Sequence, residues 1–335
     1  MNSPKIILVI FAAFALSTTV YAQPETRHPG IVLYEQGKYK EAVDSLKSAV
    51  SKDANKTNAA MWSYLGLSQT EKGELKNGVK SLEKATEIEP SNLSFRVNLS
   101  YAYLRNGQVD RSQSEAKRVI DGDPKRLTAY YLLGLGYVVE RKFGDADAIA
   151  DRALAIDPTY PDGYILKSNV AMGRLGDLLG KEEDHVNISN ELQKAFEILK
   201  KGEEASRNHR DHDRILRQLE PLQAFVDYYK NRKPYVAGQP PLPPEPGVTP
   251  LRIISKPRAS YTDNARTNGV QGNITIAVLF GASGRIEMVL LLKGLEPGLD
   301  KNAVAAARKI KFDPQTKDGK PVSVVRIIQY GFSIY

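Results

Sequence analysis

The chain has 335 residues, a formal net charge of +8, 41% apolar and 26% charged residues, and no cysteine. Its length suits two or three domains, and its balance of apolar to charged residues is that of folded globular protein rather than disorder. Without cysteine, disulfides, thiolate catalysis and cysteine-ligated metal clusters are excluded, so folding rests on burial alone.

At the N-terminus, MNSPK begins a positive segment and Ile6 to Val20 is apolar. Val20-Tyr21-Ala22 before Gln23 fits cleavage after a small residue. Residues 1–22 therefore read as an export signal. The alternative is a short retained anchor, but the 15 residues from Ile6 to Val20 reach only about 22 Å as a helix, against about 30 Å of hydrocarbon.

Pro90, Pro124 and Pro158 are each 34 residues apart, and each closes a stretch that reads as a helix pair. Bulky, small and turn residues recur in register between them. One unit has Trp62, Leu65, Gly66, Gly73, Gly78, Leu82, Ala85 and Pro90. Another has Leu133, Gly134, Tyr137, Ala146, Ala153 and Pro158. The middle unit keeps Leu99, Tyr103, Gly107, Ala116 and Pro124, with Ser100 and Ser112 at two small positions. Small residues permit close helix crossing, and proline ends each unit because it cannot continue a helix. This pattern resembles the tetratricopeptide repeat.

A partial unit precedes the array, with Pro29 and Gly30 expected to disturb its first helix. After Pro158, Tyr164 to Leu179 can begin another unit, with a loop at Lys181 to Asn187 and a helix at Glu191 to Ala205. A final amphipathic helix, Asp213 to Lys230, is expected to cover the open end, kinked at Pro221. The helical repeat domain is thus placed at residues 27–232. Stacked helix pairs form a concave surface that takes an extended peptide or a partner helix. The expected lining is Ser63, Leu67, Val97, Tyr101, Tyr131 and Leu135; for Tyr101 and Tyr131, groove and core both remain open.

Residues 233–250 are a proline-rich linker, with seven prolines among the 17 residues from Pro234 to Pro250. It reads as an extended spacer reaching about 50 Å; a docking site for a proline-recognising module is the alternative.

From residue 251 the apolar period becomes that of strands. Gly272 to Leu292 reads as a hairpin turning at Gly281 to Gly284. Leu299 to Ile310 reads as a helix, and Lys320 to Tyr335 as one long last strand. With a short helix at Thr262 to Asn268, residues 251–335 form a small α+β domain with a three-stranded antiparallel sheet covered on one face. This part carries 13 Lys+Arg against 6 Asp+Glu, nearly all of the chain's excess charge.

Tyr261, Ala265, Arg266, Gly269, Gly272, Gly284, Arg285, Leu299, Asp300, Ala306, Phe312, Pro314, Asp318, Gly319, Pro321 and Val322 are similar in type and order to the TonB C-terminal domain. One departure is Thr262, where that family has proline after the tyrosine. The resemblance implies capture of a segment of an outer-membrane receptor by strand addition at an exposed sheet edge. The edge is expected at Pro321 to Tyr335 beside the loop from Lys256 to Tyr261. Arg258, Tyr261, Arg266, Val322, Val324, Arg326 and Ile328 are the candidate contacts.

No catalytic residues, cofactor or metal site are expected. His209 and His212 lack a third fixed ligand, GASG lacks the spacing of a nucleophile elbow, and no phosphate-cradling loop exists. The fold class is therefore an all-helical repeat solenoid joined to a small TonB-like α+β domain, and the chain is expected not to be an enzyme. Its expected role is a periplasmic adaptor that binds envelope proteins, outer-membrane TonB-dependent receptors among them, with no nucleic acid. Membrane contact would come only through an uncleaved N-terminus. The alternative is an inner-membrane-anchored energy transducer coupling a motor to outer-membrane transporters.

Overall fold

A computed structural model describes residues 28–178, 185–231 and 246–333. The expected export signal, the loop residues 179–184 and most of the proline-rich linker lie outside the described residues. Two compact units are present, divided between Leu166 and Lys167.

The first unit is an array of antiparallel helix pairs: α1 (Pro29–Glu35) with α2 (Tyr39–Val50), α3 (Ala59–Lys72) with α4 (Leu75–Ile88), α5 (Leu93–Arg105) with α6 (Val109–Gly122), and α7 (Leu127–Val139) with α8 (Phe143–Ile156). It ends in the first turns of α9 (Pro161–Leu178). The chain leaves the first helix of each pair through a left-handed residue: Gly37, Gly73, Gly107 and Arg141 have φ of 73°, 93°, 77° and 63°. Behind them Lys38, Glu74, Gln108 and Lys142 each donate a backbone N–H five residues back, to Leu33, Gln69, Tyr103 and Tyr137. This is the closure that glycine favours after a helix, and Arg141 adopts it without glycine's freedom.

The 34-residue period is visible in the bonding as well. Trp62, Arg96, Tyr130 and Tyr164 occupy one repeat position, and each donates a side-chain N–H or O–H to the carbonyl six residues back: Lys56, Pro90, Pro124 and Pro158. The closing proline ends a helix and also offers an acceptor that anchors the next one. The small positions set the crossing within a pair. A Cβ on Gly66 would come within 2.5 Å of Leu82 Cγ and 2.8 Å of the Gly78 carbonyl oxygen. In the next pair Ser100 takes that position and donates its hydroxyl to the Ser112 carbonyl at 2.9 Å.

The first pair corrects one expectation. Pro29 starts α1 rather than disturbing it, because the first helical position needs no N–H. His28 Nδ1 accepts from Gly30 N–H at 3.1 Å, and Gly30 is buried against Leu46.

In the second unit, α10 (His185–Ala205) packs against α11 (Asp213–Asn231), which runs through Pro221. Then follow β1 (Val248–Thr249), β2 (Arg252–Ser255), α12 (Asp263–Thr267), β3 (Gly272–Phe280), β4 (Ile286–Lys293), α13 (Pro297–Ala307), β5 (Lys311–Asp313), β6 (Gln315–Lys317), β7 (Lys320–Val322) and β8 (Val324–Phe332). The main sheet is antiparallel with order β4-β3-β8. The shorter strands pair as β1-β6-β7 and β2-β5, so the end of the expected linker is already strand.

The central strand β3 is buried on both faces. On one, Ile274, Ile276, Val278 and Phe280 join Leu299, Ala303 and Ala307 of α13 with Ile328, Tyr330 and Phe332 of β8. On the other, Ala277 and Leu279 lie in register with Leu290 and Met288 of β4 and with Ile327 and Val325 of β8. All but Ile327 are buried. Helix α11 lies against β3 and β8. The sheet therefore has both faces covered, not one, because the helix expected to finish the repeats supplies the second layer.

The expected long last strand is also two. Val322 ends β7, which pairs with β6, and the strand is interrupted at Ser323, whose Oγ accepts the Ala282 N–H at 3.0 Å. Thr262, standing where the family has proline, caps α12 by accepting the Ala265 N–H at 3.1 Å.

Candidate partner-binding edge and repeat surface

Strand β8 pairs only with β3 among the described residues, so one of its sides is an open edge. Which of its residues face outward follows from backbone alternation. Gly281 N–H donates to the Arg285 carbonyl, so the odd-numbered residues at the end of β3 point their backbone groups toward β4. The even-numbered ones, Phe280, Val278, Ile276 and Ile274, point toward β8, where they face Val324, Arg326, Ile328 and Tyr330. The outward N–H and carbonyl groups of β8 are therefore those of Val325, Ile327, Gln329 and Gly331. Two bonds agree with this phase: Val325 O accepts from Arg326 Nη1 at 3.0 Å and Gln329 O accepts from Lys256 Nζ at 3.2 Å.

Among the candidate contacts, Val324, Arg326 and Ile328 lie on β8, but their backbone is spent on β3. Val324 and Ile328 also turn their side chains into the core shared with α13. Val322 lies on β7, off this edge. Arg326 is exposed, and its Nη2 donates to Gln315 Oε1 at 2.7 Å. Partial burial of its guanidinium disfavours the charged form, lowering its pKa.

The loop from Lys256 to Tyr261 runs beside β8, as expected. Lys256 Nζ lies 5.3 Å from the centre of the Tyr330 ring, and Tyr261 meets Phe332 edge-on at 5.4 Å between ring centres. Tyr261 donates its hydroxyl to the Val270 carbonyl. Arg258 is exposed. Arg266 stacks 5.6 Å over the Tyr261 ring and approaches Asp263 at 3.9 Å, so it stands at the Phe332 end of the edge. Lys256 was not singled out by sequence, since only the fold brings it to Gln329.

In the repeats all six expected groove residues are buried: Ser63, Leu67, Val97, Tyr101, Tyr131 and Leu135 are 1–6% exposed. They are three copies of two repeat positions, on first helices that pack against one another, α3 on α5 and α5 on α7. Asn98 Nδ2 donates to Ser63 Oγ at 3.0 Å across that contact. Tyr101 donates its hydroxyl to Glu71 Oε1 at 2.5 Å and accepts from Arg105 Nη1. Its proton is held more tightly than usual, through burial first and the Glu71 charge second. Side chains at these positions serve packing. The charged groups beside them are Glu71 and Arg105, whose side chains are 8% and 25% exposed and lie 3.6 Å apart.

His209 and His212 sit in the turn before α11. His209 Nδ1 accepts the Asp211 N–H, and His212 Nδ1 lies 3.0 Å from Ser206 Oγ. No group of three or more potential metal ligands occurs among the described residues, nor any helix long and apolar enough to cross a membrane.

Residues 257–334 match the family described as Gram-negative bacterial TonB protein C-terminal, and residues 30–92 and 97–161 match the tetratricopeptide repeat. Among curated relatives, the peroxisomal targeting signal receptor of Kluyveromyces lactis is 30% identical over 106 residues, which is 31% of this chain and 18% of that protein. The receptor of Saccharomyces cerevisiae is 30% identical over 96 residues, 28% of this chain and 15% of that protein. The chain thus spans less than a fifth of the length of either. Among solved structures, a thermophilic TPR protein of Thermus thermophilus is similar at 16% identity and TM-score 0.45, covering 58% of this chain and 95% of that one. MamA residues 41 to end from Desulfovibrio magneticus RS-1 is similar at 17% identity and TM-score 0.40, covering 51% and 92%.

Proposed function

We propose that this chain, joining tetratricopeptide repeats to a TonB-type C-terminal domain, is a cell-envelope adaptor that acts by binding rather than catalysis. The repeats hold one protein through a peptide or helix. The C-terminal sheet takes an extended segment of another, of the class of outer-membrane TonB-dependent receptors, as a fourth strand beside β8. The observation that carries this reading is the phase of β8: four successive odd-numbered residues, Val325, Ile327, Gln329 and Gly331, present backbone groups to a side of the sheet on which, among the described residues, no strand is paired. Backbone bonds of that kind hold a strand with little demand on its side chains. A periplasmic location fits the family match and the expected export signal.

The test is photo-crosslinking in cells that make the full chain. A photoreactive residue at Gln329 is expected to give a discrete adduct with an envelope protein, and one at Lys301 on α13 to give none. Equal labelling from both sites would show that the edge is not the contact.

A further inference from the structure

Two cations stand on the open edge. Lys256 and Arg326 each donate to an outward carbonyl of β8, Gln329 O at 3.2 Å and Val325 O at 3.0 Å. Each starts from or lies over a residue on the face covered by α13, and Arg326 Nη2 also donates to Gln315 Oε1 at 2.7 Å. Arg326 is in register with Val278 on that face, and Lys256 lies over the ring of Tyr330, which is in register with Ile274. Neither forms an ion pair among the described residues. Asp313, on β5, is engaged by Arg252 Nε at 2.8 Å. An edge strand needs its backbone groups covered while it is unpaired, and long cationic side chains do this. When a strand adds to β8, its N–H groups take over the two carbonyls and release the ammonium and the guanidinium at the new interface.

We infer that the segment captured by β8 is acidic at two positions four residues apart on one face, where its carboxylates receive Lys256 and Arg326. This inference rests on the strand-addition reading above. The spacing comes from the cations themselves. The carbonyls they cover are four residues apart, about 13 Å along a strand, and residues four apart share a face. Acidic residues three apart fall on opposite faces and meet only one of the two.

The probes are synthetic nine-residue Val/Thr peptides, titrated into the purified full chain and followed by fluorescence anisotropy. One carries glutamates four residues apart, a second carries glutamines there, and a third carries glutamates three apart. A fourth repeats the first with alternate amide nitrogens methylated. The first peptide is expected to bind about tenfold more tightly than the second, the scale of charge-assisted pairing. The third is expected to fall between them, and the gap should shrink as salt rises. The doubly substituted K256Q/R326Q chain should lose the gap, with circular dichroism confirming that it folds.

Equal affinity for the glutamate and glutamine peptides overturns the inference and leaves strand addition standing. So does a uniform gain for every peptide in K256Q/R326Q, which would make the two cations guards of the edge only. Undiminished binding of the methylated peptide, or no binding of any peptide, overturns strand addition itself and the inference with it.

Discussion

The hydroxyl of Tyr130 donates to the carbonyl of Pro124 at 3.0 Å, tying the first helix of one repeat to the residue that closes the repeat before it. Trp62, Arg96 and Tyr164 make the same connection at intervals of 34 residues. Three different side-chain chemistries thus perform one task, which marks the closing carbonyl as the constant element.

Tyr130→Phe removes this bond and keeps the ring, over which the Arg152 guanidinium sits at 5.2 Å. The bond is partly buried. Its loss should therefore cost about 1 kcal/mol, the net value of an ordinary hydrogen bond. Denaturant unfolding of the full chain, followed by circular dichroism at the helical band, should show the unfolding of the repeats at lower denaturant with its slope unchanged.

Gly66→Ala should cost more. The added methyl meets a backbone oxygen, Gly78 O at 2.8 Å, as well as Leu82 Cγ at 2.5 Å, and backbone yields less readily than a side chain. Overpacking of this kind costs about 1–3 kcal/mol. The equivalent Ser100 is tolerated because its Oγ finds the Ser112 carbonyl and lies 3.1 Å from the Ser112 hydroxyl, so Ser100→Ala should instead lose those contacts without a clash. Thermal unfolding of the two variants should rank Gly66→Ala as the more damaging.

The period of 34, the helix pairs, the hairpin at Gly281 to Gly284 and the helix after Leu299 were all legible, because glycine, proline and apolar spacing report local geometry directly. Features set by distant partners were not. Nothing local distinguishes Val322 from Val324, yet one pairs with Gln315 and the other with Phe280. Ser63 and Tyr101 lie where a concave surface was expected, but neighbouring first helices close over them. The outward phase of β8 depends on which residues of β3 are already committed to β4, and that is a property of the sheet.

Helix α11 shows the same limit, and it carries a prediction of its own. A chain cut to residues 246–335 keeps the strands and α13 but uncovers Ala277, Leu279, Met288, Leu290 and Val325. Exposed apolar surface of this kind drives association. This fragment should bind an apolar dye and self-associate, whereas residues 185–335, which include α11, should remain monomeric with little dye bound. Sedimentation velocity on the two fragments checks it.

Glu287, on β4, titrates abnormally for two reasons. Burial raises its pKa first, and the negative charge of Glu220 on α11 raises it further, while the Ser283 hydroxyl works the other way. A carboxyl raised in the folded state holds its proton more tightly there than in the unfolded chain. Its contribution to stability is complete below the unfolded value and is lost as pH rises through the folded one. Glu287→Gln removes this loss. The variant should resist denaturant better than the parent at neutral pH, and the difference should vanish near pH 4, about the ordinary carboxylate value. Midpoints measured at the two pH values decide it.

The phase of β8 yields the sharpest contrast, because neighbouring positions should behave oppositely. Proline at Ile327 removes an outward N–H that no ladder bond within the sheet uses, so the domain should remain folded while the edge loses a donor at its centre. Proline at Ile328 removes an N–H directed at Ile276 of the central strand, breaks the ladder and disturbs a residue buried against α13. Ile327→Pro should therefore keep the unfolding midpoint of the second unit close to that of the parent and abolish crosslinking from Gln329. Ile328→Pro should lower the midpoint by an amount corresponding to about 3 kcal/mol or more. If Ile327→Pro unfolds the domain and Ile328→Pro does not, the inward and outward residues are exchanged, and Val324, Arg326 and Ile328 become the residues that face a partner.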